Sequence, residues 1–223
     1  MWDFNPNVGL IVAGGNDPPT YKMNISRDHG KSAETLSNIP NHWCSTNNYM
    51  YGGCVVIINE TSIFTAGGYE PCSTRYRKTT YFYNMDTDAW TNGPTMVQNR
   101  HYHTCDLVTH VDGTRDIVIV GGIGTGCSYI NHVEIIHLDS NSQALRSGAP
   151  SPHVNGHTTV AYGDKIYLMG GYKGSSCSNA IGYTKEIYEY DSWNNTWTKL
   201  DFELPYNTYF GSAMFVDDNI CNI

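Results

Sequence analysis

Residues 117–122 read Ile117-Val118-Ile119-Val120-Gly121-Gly122, a short apolar run closed by two glycines. The same ending closes Leu10-Ile11-Val12-Ala13-Gly14-Gly15, Ile63-Phe64-Thr65-Ala66-Gly67-Gly68 and Ile166-Tyr167-Leu168-Met169-Gly170-Gly171. From first glycine to first glycine the steps are 53, 54 and 49 residues. Apolar, partly β-branched runs of this length are strand-forming. A strand unit that recurs about every 50 residues marks a stacked or radial array.

Outward from each diglycine the rest of the unit repeats as well. Tyr83-Asn84 is followed six residues later by Trp90, and Tyr190-Asp191 six later by Trp197. Leu138-Asp139 is followed six later by Leu145, and in the first unit Leu36 takes the Trp place. A proline comes next each time, at Pro40, Pro94, Pro150 and Pro205. A polar loop carrying Arg100 and His103, or His157, then leads into the next apolar run. Each unit therefore reads as four strands, a to d, with the diglycine ending strand b. Asp112-Gly113, Gly163-Asp164 and Asn194-Asn195 mark tight turns. No window shows sustained helical periodicity.

Diglycine, then Tyr-Asp, then Trp six later resembles the kelch repeat family, over nearly the whole chain from Val8 to Ile223. The resemblance implies an all-β fold, a kelch-type β-propeller of four-stranded antiparallel blades around a central channel. Residues 1–223 form one such domain, with repeats near 8–50, 51–103, 104–155 and 156–208 and a partial repeat at 209–223. Thirteen residues precede the first diglycine, so strand a of the first blade is expected to be missing. Gly211 to Val216 read as strand a of a further blade. Kelch propellers usually have six blades, so an open arc of about four is expected. The alternative is a closed four-bladed ring in which the C-terminal strand joins the N-terminal sheet. Tyr83, Tyr190, Trp90, Trp197 and the glycines are read as packing between blades.

Composition narrows the function. Hydrophobic residues make up 40% and charged residues 15% of the 223, which excludes a disordered chain. A net charge of −8 argues against nucleic-acid binding. No apolar run approaches the ~18 residues of a membrane span, so no membrane insertion is expected. Met1-Trp2-Asp3-Phe4 has neither a basic nor an apolar leader region, so no signal peptide is expected in this chain. Seven cysteines leave at least one unpaired. Cys72, Cys127 and Cys177 fall on b–c loops of successive blades, read as too far apart to bond; Cys44 with Cys72 is conceivable. Cys54 and Cys105 are read as small apolar groups. Asn24, Asn59 and Asn194 head N-x-S/T sequons. With the cysteines, these glycan acceptors lean toward an extracellular or secretory-pathway parent protein.

No catalytic, cofactor-binding or metal-binding residue is assigned. His101 and His103 bracket Tyr102, but His103 and His157 occupy the same repeat position, which points to packing. Gly121 to Gly126 is glycine-rich yet precedes no helix, so it is not read as a phosphate loop. What remains is the face shared by the b–c and d–a loops, which in kelch-like propellers binds partners. Arg75, Tyr76, Arg77, Tyr129 and Tyr172 lie in b–c loops, and Arg100, Tyr102, His153 and Tyr206 in d–a loops. Tyr and Arg dominate interface energetics. The expected function is a non-enzymatic module binding a protein or peptide, its oligomeric state open. Two alternatives are the propeller domain of a secreted carbohydrate-active or galactose-oxidase-like enzyme, and the substrate-recognition domain of a ubiquitin-ligase adaptor.

Overall fold

A computed structural model describes residues 2–5, 9–12, 20–25, 31–37, 51–70, 74–140, 142–146 and 154–214. For residues 2–36, 145, 146 and 154 only the backbone is described.

The first sheet is an antiparallel meander of β1 (Trp2–Asn5), β2 (Gly9–Val12), β3 (Thr20–Ile25) and β4 (Lys31–Leu36). The second blade uses β5 (Cys54–Asn59) and β6 (Ser62–Ala66). A short top pair follows, β7 (Tyr69–Glu70) with β8 (Arg75–Tyr76), and β9 (Thr80–Asn84) and β10 (Ala89–Asn92) complete the blade. The third blade comprises β11 (Thr104–Thr109), β12 (Arg115–Val120), β13 (Val133–His137) and β14 (Ser142–Arg146), with a 3-10 turn at Thr125–Cys127. Next comes β15 (Val154–Asn155), then β16 (Thr158–Tyr162) and β17 (Lys165–Met169) of the fourth blade. The hairpin β18 (Tyr172–Ser176) and β19 (Asn179–Tyr183) precedes its β20 (Glu186–Asp191) and β21 (Thr196–Glu203).

The innermost strands pack side by side, β1 on β5, β5 on β11 and β11 on β16. The four blades thus follow one another around a common centre. Two apolar clusters fill the wedges. Cys54, Val56, Phe64, Ala66 and Met96 meet Cys105, Ile117, Ile119 and Ile136 between the second and third blades. Val108, Val118, Val120, Val133 and Ile135 meet Ile166, Leu168, Tyr188, Tyr190 and Trp197 between the third and fourth. β12 is buried almost throughout, whereas β10 is largely exposed, because strand b lies inside the stack and strand d at its rim.

The expected Tyr–Trp pairs form across strands c and d. Tyr83 stands opposite Trp90 with ring centroids 4.7 Å apart, and Tyr190 opposite Trp197 at 4.8 Å. Each phenol also ties its own turn. Tyr83 donates to Asp88 Oδ1 and Tyr190 to Asn195 Oδ1, and both acceptors hold a left-handed backbone.

Three expectations are corrected. Strand a of the first blade is present, because β1 pairs with β2. Its four residues, Trp-Asp-Phe-Asn, are too short and mixed to read as an apolar run. The place on β2 that a C-terminal strand would take in a closed ring is held by β1. In the third blade Leu138 and Leu145 do not replace the Tyr–Trp pair. The register sets Ile136 opposite Gln143 there, and pairs Leu145 with Glu134. Likewise Leu36 pairs with Thr20 at the far end of its hairpin, not near the turn where Trp90 sits. Gly211 to Met214 carry no strand, and residues 215–223 lie outside the described part.

Candidate protein-interaction face

Diglycines bring the loops together. Each described pair takes two consecutive positive φ angles, 60° and 106° at Gly67-Gly68. The chain thereby leaves strand b and turns beneath the next blade's d–a loop. A Cβ on Gly67 would stand 2.6 Å from the Arg100 carbonyl oxygen, and one on Gly122 2.7 Å from that of His101. Only glycine admits this approach. His103 and His157 close the same joint. His103 Nε2 bonds the Ala66 carbonyl at 3.1 Å, and His157 bonds the Val120 carbonyl and Thr104 Oγ1. Ala66 and Val120 each immediately precede a diglycine. Burial pushes the His157 imidazole down to about 3 and that of His103 well below its usual value. Both are structural neutral imidazoles, as the repeat position implies.

On top of this joint the second, third and fourth blades each carry a radial row of three positions. The second blade aligns Tyr51, Tyr69 and Tyr76; the third, His101, Ile123 and Tyr129; the fourth, Asn155, Tyr172 and Tyr183. Backbone bridges join the members of each row. Rings then touch in an unbroken series: Tyr51–Tyr69 5.3 Å, Tyr69–Tyr76 5.1 Å, Tyr76–His101 4.6 Å and His101–Tyr102 4.2 Å. The series continues through Tyr102–Phe210 at 4.7 Å, Phe210–Tyr209 at 4.1 Å, Tyr209–Tyr183 at 5.4 Å and Tyr183–Tyr172 at 4.9 Å. Asn155 is the polar hub: its Oδ1 accepts from the Tyr209 hydroxyl at 3.2 Å, and its side chain also bonds Tyr129. Burial, reinforced by the neighbouring Tyr102, Tyr129, Tyr183 and Tyr172, pushes the Tyr209 phenol up to about 12, so it stays a donor.

The loop residues singled out in the sequence divide by burial. Tyr76, Tyr102 and Tyr172 are half-buried members of the aromatic series, and Tyr206 is 80% exposed beside it. Tyr129 is buried, with its ring packed into the face. Arg75 and Lys78 are exposed, while Arg77 is ion-paired with the buried Glu70. His153 lies outside the described residues. Arg100 is not on the surface: it is fully buried and paired with Glu134 Oε1 at 2.5 Å. Its NH1 group donates to the Gly121 carbonyl at 3.0 Å, and the Glu134 carboxylate accepts from the Val97 amide at 2.7 Å. A long charged side chain in a polar loop looked like surface, but here it locks that loop onto the next blade. Sequence reading missed Tyr51, Tyr69 and Phe210. The signal was available, since Tyr69 and Tyr172 directly follow their diglycines.

Cysteines, too, depart from expectation. Cys54 and Cys105 are joined across the inner strands of two blades, with Cα atoms 5.7 Å apart. Cys127 and Cys177 are joined across b–c loops, with Cα atoms 5.6 Å apart. Inner strands converge toward the centre. The β18–β19 hairpin leans back over the third blade, where Tyr129 N donates to Ser175 O at 3.1 Å. That brings successive b–c loops within bonding reach. Cys44 and Cys72 lie outside the described residues. Beneath the face, a cavity of about 740 Å³ is lined by His103, Thr104, the Cys54–Cys105 bridge, His157 and Thr158. Among the described residues, no three His, Cys, Asp or Glu stand where they could hold a metal ion. None of the described helices is long and apolar enough to cross a membrane.

Comparison with known proteins agrees with this architecture. The chain is 24% identical over 176 residues to Kelch-like protein 36 of Mus musculus, covering 75% of this chain and 27% of that protein. Against Kelch-like protein 36 of Bos taurus the identity is 24% over 182 residues, covering 78% and 28%. The chain therefore spans little more than a quarter of the length of these relatives. The solved structure of YjhT superposes with a TM-score of 0.69 at 14% identity, over 89% of this chain and 64% of that one. Residues 11–223 match the family described as Attractin/LZTR1 beta-propeller. With that match across almost its whole length, the chain belongs to the Attractin/LZTR1 beta-propeller family.

Proposed function

We propose that the propeller is a non-catalytic module that takes an extended acidic segment of a partner protein across the aromatic rows of the loop face. The observation that carries the reading is the unbroken ring series from Tyr51 to Tyr172, flanked by exposed Arg75 and Lys78 on a chain of net charge −8. Rigid Tyr rings supply contact area at small entropic cost. The two cations are the local exception on an acidic molecule, so they select carboxylates. Arg77 and Arg100 take no part, because their charges are spent on Glu70 and Glu134.

A phage-displayed random peptide library panned on the protein tests this. Asp and Glu beside Tyr, Phe or Pro should be enriched. Arg75→Glu with Lys78→Glu should cut retained phage about tenfold, a loss near 1.4 kcal/mol. Tyr183→Ala should weaken retention as well, while Trp193→Ala at the opposite end of the blades should not. Enrichment indifferent to the loop-face variants would remove the proposal.

A second reading, the substrate-recognition domain of a ubiquitin-ligase adaptor, draws support from the similarity to Kelch-like protein 36. The two inter-blade cysteine bonds weigh against it, since such bonds persist in oxidising compartments.

A further inference from the structure

All three sequons fall at the same end of the blades. Asn59 opens the turn between β5 and β6, and Asn194 sits in the turn between β20 and β21. Asn24 is the penultimate residue of β3, beside the connection to β4. In an antiparallel meander the a–b and c–d turns share one end, and the b–c and d–a loops the other. Every sequon is therefore opposite the aromatic face. Asn99, Asn131, Asn179 and Asn207 stand on the aromatic side, and none is followed two residues later by Ser or Thr.

Local geometry suits modification best at Asn59; the Asn194 Nδ2 donates to Asp191 Oδ2 at 2.8 Å on an exposed turn. Asn59 is exposed, and its Oδ1 accepts from the Thr61 amide at 2.9 Å and the Thr61 hydroxyl at 3.3 Å. The two functional residues of that sequon are thus already in contact, in an Asx-type turn. Asn194 and Thr196 are both exposed, and Trp193 beside them is 60% exposed on an otherwise polar turn. The apolar face of a sugar ring would cover that indole. The Cys54–Cys105 and Cys127–Cys177 bonds independently point to the oxidising compartment in which such sugars are added.

We propose that Asn59 and Asn194 carry N-linked glycans, with Asn24 as a third acceptor, so that sugar coats the turn end and leaves the aromatic face bare. The glycan assignment stands by itself; only its use, keeping the partner face clear, rests on the binding reading above. In the transfer, Asn Nδ2 attacks C1 of an oligosaccharide carried on a lipid pyrophosphate. The Nδ2–C1 bond forms and the C1–O bond to the pyrophosphate breaks. The lipid pyrophosphate leaves with the electron pair, and the amide gives up one proton to solvent.

The test uses the protein purified from the cells that make it. Treatment with a peptide-N-glycosidase in ¹⁸O-water converts a glycosylated Asn into labelled Asp, read by peptide mass spectrometry. Labelled Asp is expected at positions 59 and 194. Unlabelled Asn at both would overturn the proposal. Thr61→Ala and Thr196→Ala keep each Asn but should lose the label at the neighbouring position alone; retention of label there would overturn the sequon assignment. The double variant should still enrich the same phage peptides. If labelling succeeds and peptide enrichment fails for every form of the protein, the glycan assignment stands and only the binding reading falls.

Discussion

The amide of Tyr102 donates to the carbonyl of Gly52 at 2.6 Å, and both residues hold a left-handed backbone, φ 57° and 68°. Gly156 continues the pattern by donating to Tyr102 at 3.0 Å, and Phe210 by donating to Gly156 at 2.8 Å, with φ 58° and 54°. Residues spaced about fifty positions apart thus form a hydrogen-bonded line at the centre of the loop face. Two positions use glycine, and two keep a bulky aromatic in a conformation that disfavours it.

If those rings are there for a partner, removing them should cost the fold little. Tyr102→Gly relieves roughly 1–2 kcal/mol of left-handed strain while losing ring contacts to His101 and Phe210. Its urea midpoint should stay close to that of the parent, with peptide retention lost. Gly52→Ala should behave in the opposite way, because its Cβ would stand 2.8 Å from the Tyr102 ring. A large loss of stability in Tyr102→Gly would make the ring structural.

Arg100→Glu is expected to unfold the propeller instead of merely blocking capture. The guanidinium and the Glu134 carboxylate are almost fully buried together. Stranding one of such a pair costs about 3–5 kcal/mol, and Glu would add a second buried carboxylate. Circular dichroism melting of Arg100→Ala and Glu134→Gln should show similar large losses. A melting temperature unchanged in either would mean that the loop is not locked as described.

Removing the inner staple should weaken the fold substantially. Cys54 and Cys105 are separated by 51 residues, and closing a loop of that size is worth about 4 kcal/mol in the chain-entropy account. Cys54→Ser with Cys105→Ser should lower the urea midpoint under non-reducing conditions. Part of the parent's own stability should disappear with dithiothreitol. Indifference of both proteins to reductant would show that the bond does not form.

Acid should destabilise the protein in a window set by the buried imidazoles. Burial depresses the His157 pKa from 6.5 to about 3 and carries that of His103 in the same direction. The unfolded chain takes up these protons as pH falls through about 6.5, whereas the fold does not. The unfolded state therefore binds more protons, and stability drops as pH falls from about 6.5 toward the folded value. The slope is about 1.4 kcal/mol per pH unit for each histidine. Burial raises Glu186 and Asp191, but hydrogen bonds from Lys173, Lys199 and Tyr188 to the first and from Lys165 and Asn194 to the second outweigh it and hold both to about 2, adding losses below about 4.5. Urea titrations at pH 7, 6 and 5 should resolve the histidine part, and His103→Gln with His157→Gln should make it shallower, with His101 and His132, also lowered by burial, supplying the remainder.

Much of this could be read without coordinates because it is local. The diglycines, the Tyr83–Trp90 and Tyr190–Trp197 pairs and the turn dipeptides each encode a strand, a partner strand or a reversal within one repeat, so recurrence implied a stacked or radial array and the resemblance to kelch repeats implied blades. The loop face was legible as a place, since b–c and d–a loops must meet at one end of a meander. Its membership was not. Arg100 looked exposed because only the next blade's Glu134 reveals its counter-charge. The Cys127–Cys177 bond was not legible, because equivalent loops on neighbouring blades read as too far apart and only the lean of β18–β19 closes that gap.

Periodicity in the chain dictates what each blade is, because the backbone hydrogen bonding and cross-strand packing of a blade act within one repeat. Which side chains meet between blades was settled by the packing of whole sheets against each other. A residue on the next blade becomes a neighbour only once every intervening strand is in place, so the buried ion pair, the staples and the aromatic ring series belong to the assembled molecule.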